Sequence, residues 1–193
     1  MPDIHLFTAA FATLLSNPRD AALIGLLLLA AAIDSRTGRI PNWLTVGGMA
    51  FGLLYNASAH GFLAGLLPAL GGLAAGLLLL LPLHLLRVMG AGDVKLMAMV
   101  GAVVMAPAIL NAVVCTFLAG GIAALLFALY RRAVPRMTGN VMEIVQHMAF
   151  AAMAGVRPTR AAPTRASVGK LPYAMSIAAG TIGWLVARLA GLA

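Results

Sequence analysis

The chain has 193 residues, of which 62% are hydrophobic and 9% charged, and its mean hydropathy is +1.00. This composition excludes a soluble domain and indicates a polytopic membrane protein with room for about six spans of ~20 residues. The net charge of +8 does not make it a nucleic-acid binder, because the basic residues lie between apolar runs, where membrane topology accounts for them.

Residues 1–18 carry neither a basic n-region nor an obvious small-residue cleavage site, so no removable signal peptide is expected. The apolar stretch 4–15 is too short to span and is expected at the interface. Apolar runs then predict six spans, at about 20–34, 41–57, 62–86, 94–107, 108–130 and 171–190. With the first span running inward, eleven of the 13 basic residues fall on one side and only Arg19 and Arg188 on the other. The positive-inside rule then places both termini outside and the 131–170 loop in the cytoplasm. The fold class is therefore an all-α membrane bundle, N-out and C-out, forming a single domain with one basic cytoplasmic loop. Within that loop, residues 141–154 have a polar stripe of Glu143, Gln146 and His147 and are expected to lie on anionic headgroups. Residues 158–167 form a Pro-, Ala- and Arg-rich near-repeat expected to be a flexible linker.

Five residues are acidic, and two of them stand at span boundaries on the same, cytoplasmic side: Asp34 and Asp93. A carboxylate there costs several kcal/mol unless it is paired, hydrated or protonated. Asp34 opens the turn Asp34-Ser35-Arg36-Thr37-Gly38-Arg39-Ile40-Pro41-Asn42, in which Pro41 starts the next helix and Arg36 and Arg39 can bind phosphates or tune Asp34. A plain hairpin with topogenic arginines is the alternative. Asp93 follows the tight turn Gly90-Ala91-Gly92, with Lys95 directed to another face, where it can meet headgroups. Helix capping is the alternative for Asp93. The fourth span is short, about 21 Å of helix at 14 residues. Either it extends past Pro107, or the 90–93 turn dips below the surface and Asp93 becomes partly dry, which would raise its pKa.

Gly90-Ala91-Gly92-Asp93 matches the GxGD signature of membrane-embedded aspartic peptidases. With Asp34, Ile40-Pro41-Asn42 and Lys170-Leu171-Pro172-Tyr173-Ala174 in order, the chain resembles the prepilin peptidases over roughly residues 20–190, and among them the small TadV/CpaA-type members. The resemblance implies an aspartic endopeptidase of the bacterial inner membrane that removes the short basic leader of a type IV prepilin or pseudopilin at the cytoplasmic face. It implies Asp34 and Asp93 as the catalytic pair, supported by Gly90, Gly92, Lys95, Pro41, Asn42 and Lys170, with no metal or organic cofactor. Larger members carry a cytoplasmic domain with paired CxxC motifs and also N-methylate the product; this chain has one cysteine, Cys115, so methyltransferase activity is not expected. The expected partners are the prepilin and membrane lipids.

Other residues have plainer readings. Tyr173 and Pro172 suit an interfacial anchor, Lys170 could neighbour substrate, and His84 is expected to hydrogen-bond locally rather than bind metal. Met89, Met97, Met99 and Met105 read as packing, and Gly71, Gly72, Gly76, Gly101, Gly120 and Gly121 as close helix contacts. Two rival functions share these features: a small ion-coupled transporter subunit, and a non-catalytic pilus-assembly partner.

Overall fold

The computed structural model describes residues 13–86, 89–130 and 173–191. The expected interfacial helix at 141–154, the linker at 158–167, Lys170, Pro172 and most of the 4–15 stretch lie outside them. Among the described residues there are six long helices and no strand: α1 (Pro18–Thr37), α2 (Asn42–His60), α3 (Phe62–Leu85), α4 (Ala91–Val104), α5 (Ile109–Tyr130) and α6 (Tyr173–Leu189). Each corresponds to one of the six apolar runs. Two are long and apolar enough to cross a membrane, α3 and residues Ile109–Phe127 of α5. Their outward faces carry Phe62, Leu63, Leu67, Leu78, Leu110 and Leu118, all more than 45% exposed, surfaces suited to hydrocarbon rather than water.

The chain divides into two compact units, residues 1–120 with 172–193, and residues 121–171. The described part of the second is the C-terminal half of α5, an apolar helical segment.

In the first unit, the shortest helix is the centre. From Val94 to Val104 every α4 residue except Lys95 is buried. Helices α1, α2, α3 and α6 all pack on it. The helix ends at Val104 and does not run on past Pro107. Close packing comes from small residues. A β-carbon on Gly72 would strike the Gly101 carbonyl, and one on Gly101 would strike Gly72, so α3 and α4 cross backbone to backbone. Gly76 meets Met97 in the same way, whereas a β-carbon on Gly121 would meet nothing within 4 Å among the described residues. Met97 and Met99 are fully buried, as their reading as packing residues requires.

Asn56 of α2 secures the far end of α4. Fully buried, its Nδ2 donates to the carbonyls of Gly52 (2.9 Å), Ala102 (3.0 Å) and Val103 (3.0 Å). The last carbonyls of a helix lack partners within it, and in a dry interior each must find one. Replacing Asn56 by leucine should therefore destabilise the protein by about 1–3 kcal/mol, read as a lowered thermal midpoint in detergent. An unchanged midpoint would mean that the α4 terminus is satisfied otherwise.

Candidate active site

Asp34 lies one turn inside the C-terminus of α1 rather than at its end. The helix continues to Thr37 and is closed by Gly38 in the left-handed conformation, whose N–H donates to the Asp34 carbonyl at 2.8 Å. The Asp34 carboxylate is half-buried and has no hydrogen-bond or ion-pair partner among the described residues. Arg36 and Arg39 do not reach it; both are exposed. Pro41 is the residue just before α2, not its first residue, and its carbonyl accepts from the N–H groups of Leu44 and Thr45.

On the other side of the site, Asp93 occupies the third position of α4. Its Oδ2 accepts the N–H of Gly90 at 3.1 Å, which is the half of a capping box that an acidic residue at this position supplies. The capping role weighed from the sequence is thus real, though from inside the first turn. It leaves Oδ1 without a hydrogen-bond partner among the described residues.

Two contacts bring the turns together. Lys95 Nζ donates to Asn42 Oδ1 at 3.0 Å, across 53 positions of sequence. A β-carbon on Gly92 would sit 3.2 Å from Ile40, so the glycine lets the 90–93 turn press against the α1–α2 turn. Lys95 is therefore committed to its neighbouring motif rather than directed away from it. The result is electrostatic coupling between the two carboxylates. Asp93 sits ahead of the apolar segment 94–104, and its carboxyl is raised to about 6. Burial is the main cause; the Gly90 N–H pulls it back and the negative charge of Asp34 pushes it further up.

Tyr173, read from the sequence as an interfacial anchor, also lies near Asp93. It is half-buried at the start of α6, its ring edge and hydroxyl lie about 3.4 Å from where a β-carbon on Gly120 would stand, and it is within electrostatic reach of Asp93. A tyrosine next to a proline at a helix start looks the same in either role. Among the described residues no group of histidine, cysteine and acidic side chains could hold a metal ion.

Helices of this apolarity around two coupled carboxylates define a helical membrane protein with an acidic pair at the ends of its helices. The chain belongs to the type IV leader peptidase family, whose model matches residues 21–129, more than half of its length. The match takes in Asp34, Asn42 and the 90–95 turn but stops before α6. It makes the chain a peptidase and a membrane protein with prepilin-type substrates. Comparison with curated proteins and with solved structures gives no match.

Proposed function

We propose that the chain is an aspartic endopeptidase in which Asp34 and Asp93 hold one water and cut a type IV prepilin or pseudopilin behind its short basic leader. The observation that carries this reading is the meeting of the two turns. The Lys95–Asn42 bond and the Gly92–Ile40 contact draw them together, and the charge of Asp34 reaches Asp93. Two carboxylates that feel each other's charge share a proton more readily than they ionise together.

In this reading the pair titrates as a unit and shares one proton; Asp93, raised by burial, is given the acid role and Asp34 the base role. Asp34 takes a proton from the water as its oxygen attacks the scissile carbonyl carbon. Asp93 donates a hydrogen bond to the carbonyl oxygen as negative charge builds there. The proton held by Asp34 passes to the leaving amide nitrogen as the C–N bond breaks, giving a carboxyl terminus on the leader and an amine on the pilin. No metal or organic cofactor takes part. The reading stops at peptide cleavage and includes no methyl transfer, since residues 1–193 hold a single cysteine, Cys115, and no paired CxxC motif.

The topology proposed with it has six spans, both termini outside, and the two aspartates at the cytoplasmic face of the bacterial inner membrane. Eight basic residues outside the two turns, among them Arg131, Arg132 and Arg136, support that orientation when counted by side.

The test is co-expression with a candidate prepilin, reading the size and new N-terminus of the product. Cleavage behind the leader supports the reading. A folded, membrane-inserted protein that cleaves none of several prepilins would favour an assembly partner, and ion-coupled uptake in proteoliposomes would favour a transporter.

The dyad also predicts a pH dependence. Asp93 holds its proton below about pH 6 and loses it above. With one proton required in the pair, kcat/KM, which reports the free enzyme, should fall as pH rises through that value. A profile flat to pH 8 would remove Asp93 from the acid role.

A further inference from the structure

One histidine contacts the same turn from behind. His84 stands in the last turn of α3, half-buried, and its Nδ1 lies 3.1 Å from the carbonyl oxygen of Met89. A carbonyl only accepts, so Nδ1 carries the hydrogen. That carbonyl belongs to the peptide group whose N–H, that of Gly90, donates to Asp93 Oδ2 at 3.1 Å. The imidazole and the carboxylate therefore hold opposite ends of one rigid, planar unit.

We propose that His84 is a positioning residue for the Asp93 carboxylate, acting through the Met89–Gly90 peptide group. This deepens the active-site reading above and rests on Asp93 being one of the reacting pair. A hydrogen bond into an amide oxygen draws electron density toward it and makes the N–H a stronger donor, so the two bonds reinforce each other. No proton travels along this path; its effect is alignment and charge stabilisation.

The unit is held against rotation from other directions as well. The N–H of Met89 donates back to the Leu83 carbonyl at 3.4 Å, and Met89 is 8% exposed within the apolar core. Turning the 89–90 peptide over would break the His84 bond and aim a carbonyl oxygen at the Asp93 carboxylate. With Oδ2 fixed by Gly90, the other oxygen remains for water and Asp34. A glycine turn is otherwise poorly suited to hold a catalytic group, because glycine gives the backbone the most freedom. His84 and Met89 supply the restraint that Gly90 and Gly92 lack.

Asparagine and glutamine at position 84 separate alignment from bulk. The asparagine amide N–H takes the place of Nδ1 and keeps the bond to Met89; the glutamine amide reaches instead to where Nε2 stands. With ¹⁵N-glycine labelling in detergent micelles and no substrate present, the Gly90 amide proton should move upfield in His84→Gln and stay near its wild-type position in His84→Asn. In prepilin cleavage, His84→Gln should lower kcat about tenfold with KM unchanged, and His84→Asn should restore most of it.

The pH profile is the third readout. Among the described residues, the charged and titratable groups facing Asp93 are Asp34 from α1 and Tyr173 from α6, while Lys95 on its own helix is turned to Asn42. None of these is altered by the substitution. Because the Gly90 N–H favours the ionised carboxylate, weakening it should move the fall in kcat/KM to higher pH in His84→Gln alone.

Wild-type kcat, pH profile and Gly90 shift in His84→Gln would overturn the proposal. So would equal losses in both variants at unchanged thermal midpoints. The amide shift needs no cleavage, so a Gly90 response in a protein that cleaves no prepilin would uphold the alignment and reject the peptidase reading.

Discussion

Asp34→Asn and Asp93→Asn should each reduce prepilin cleavage by about 10³-fold or more, and the double variant should be little worse than either. Both should still fold. The Asp34 carboxylate makes no hydrogen bond or ion pair among the described residues, so an amide there removes no structural contact. At position 93 an asparagine oxygen can still accept the Gly90 N–H, which preserves the first turn of α4. Folding and catalysis are thus separable at both positions, which makes the pair a clean test. Non-additivity follows because the two groups act on one water and one carbonyl, and removing either leaves the other without its function. The Asp34 variant carries a second expectation. Loss of its negative charge removes one of the influences that raise Asp93, so the Asp93 carboxyl should fall toward the ordinary carboxylate range. Cleavage at near wild-type rate by either variant, measured on new N-termini, would exclude the two-aspartate mechanism.

The helices and the site were legible in the sequence to different degrees, and the difference is physical. All six described helices match apolar runs, because in a membrane chain length and hydropathy alone specify a helix. The pairing of Asp34 with the 90–93 turn was legible because both acids fall on one side once the basic residues are counted. Which helix lies at the centre was not legible. A buried core helix is apolar all round, but so is every helix that faces lipid, and periodicity cannot separate them. The small residues Ala98, Gly101 and Ala102 were the available signal for α4, since close crossing needs them. Lys95 was assigned to another face because residues two apart on a helix diverge; its long side chain nonetheless reaches Asn42. Helix ends shifted by at most three residues, and two of them, at 62 and 130, did not move. Asp34 was placed at the end of α1 because it ends the apolar run, whereas the backbone stays helical until Gly38 supplies a left-handed cap.

At the opposite end of α1, Asp20→Ala should destabilise the protein by about 3 kcal/mol. Asp20 is about 21 Å along the helix from Asp34 at 1.5 Å per residue, too far to touch the site. Its side chain is only 3% exposed, and it accepts from Arg19 Nε at 3.2 Å and from Arg188 Nη2 at 3.5 Å. Arg188 comes from α6 and also lies over the Trp184 ring, 5.3 Å from its centroid. These are the two basic residues that fall outside the positive-inside count, and both are held by the same buried carboxylate. Their position is thus explained by pairing rather than by topology. The pair also joins α1 to α6, helices separated by most of the sequence, so its loss should loosen the contact that brings Tyr173 beside Asp93. Removing the acid strands two guanidiniums, one of them 13% exposed, and breaking a buried pair by deleting one partner costs more than the pair was worth. The cost stays near the lower end of the buried range because Arg188 is 33% exposed and can turn to water. Thermal unfolding in detergent should show the loss, and Arg188→Met, which leaves Asp20 its contact with Arg19, should show a smaller one. Equal midpoints for wild type and Asp20→Ala would mean that the α1–α6 contact rests on apolar packing alone.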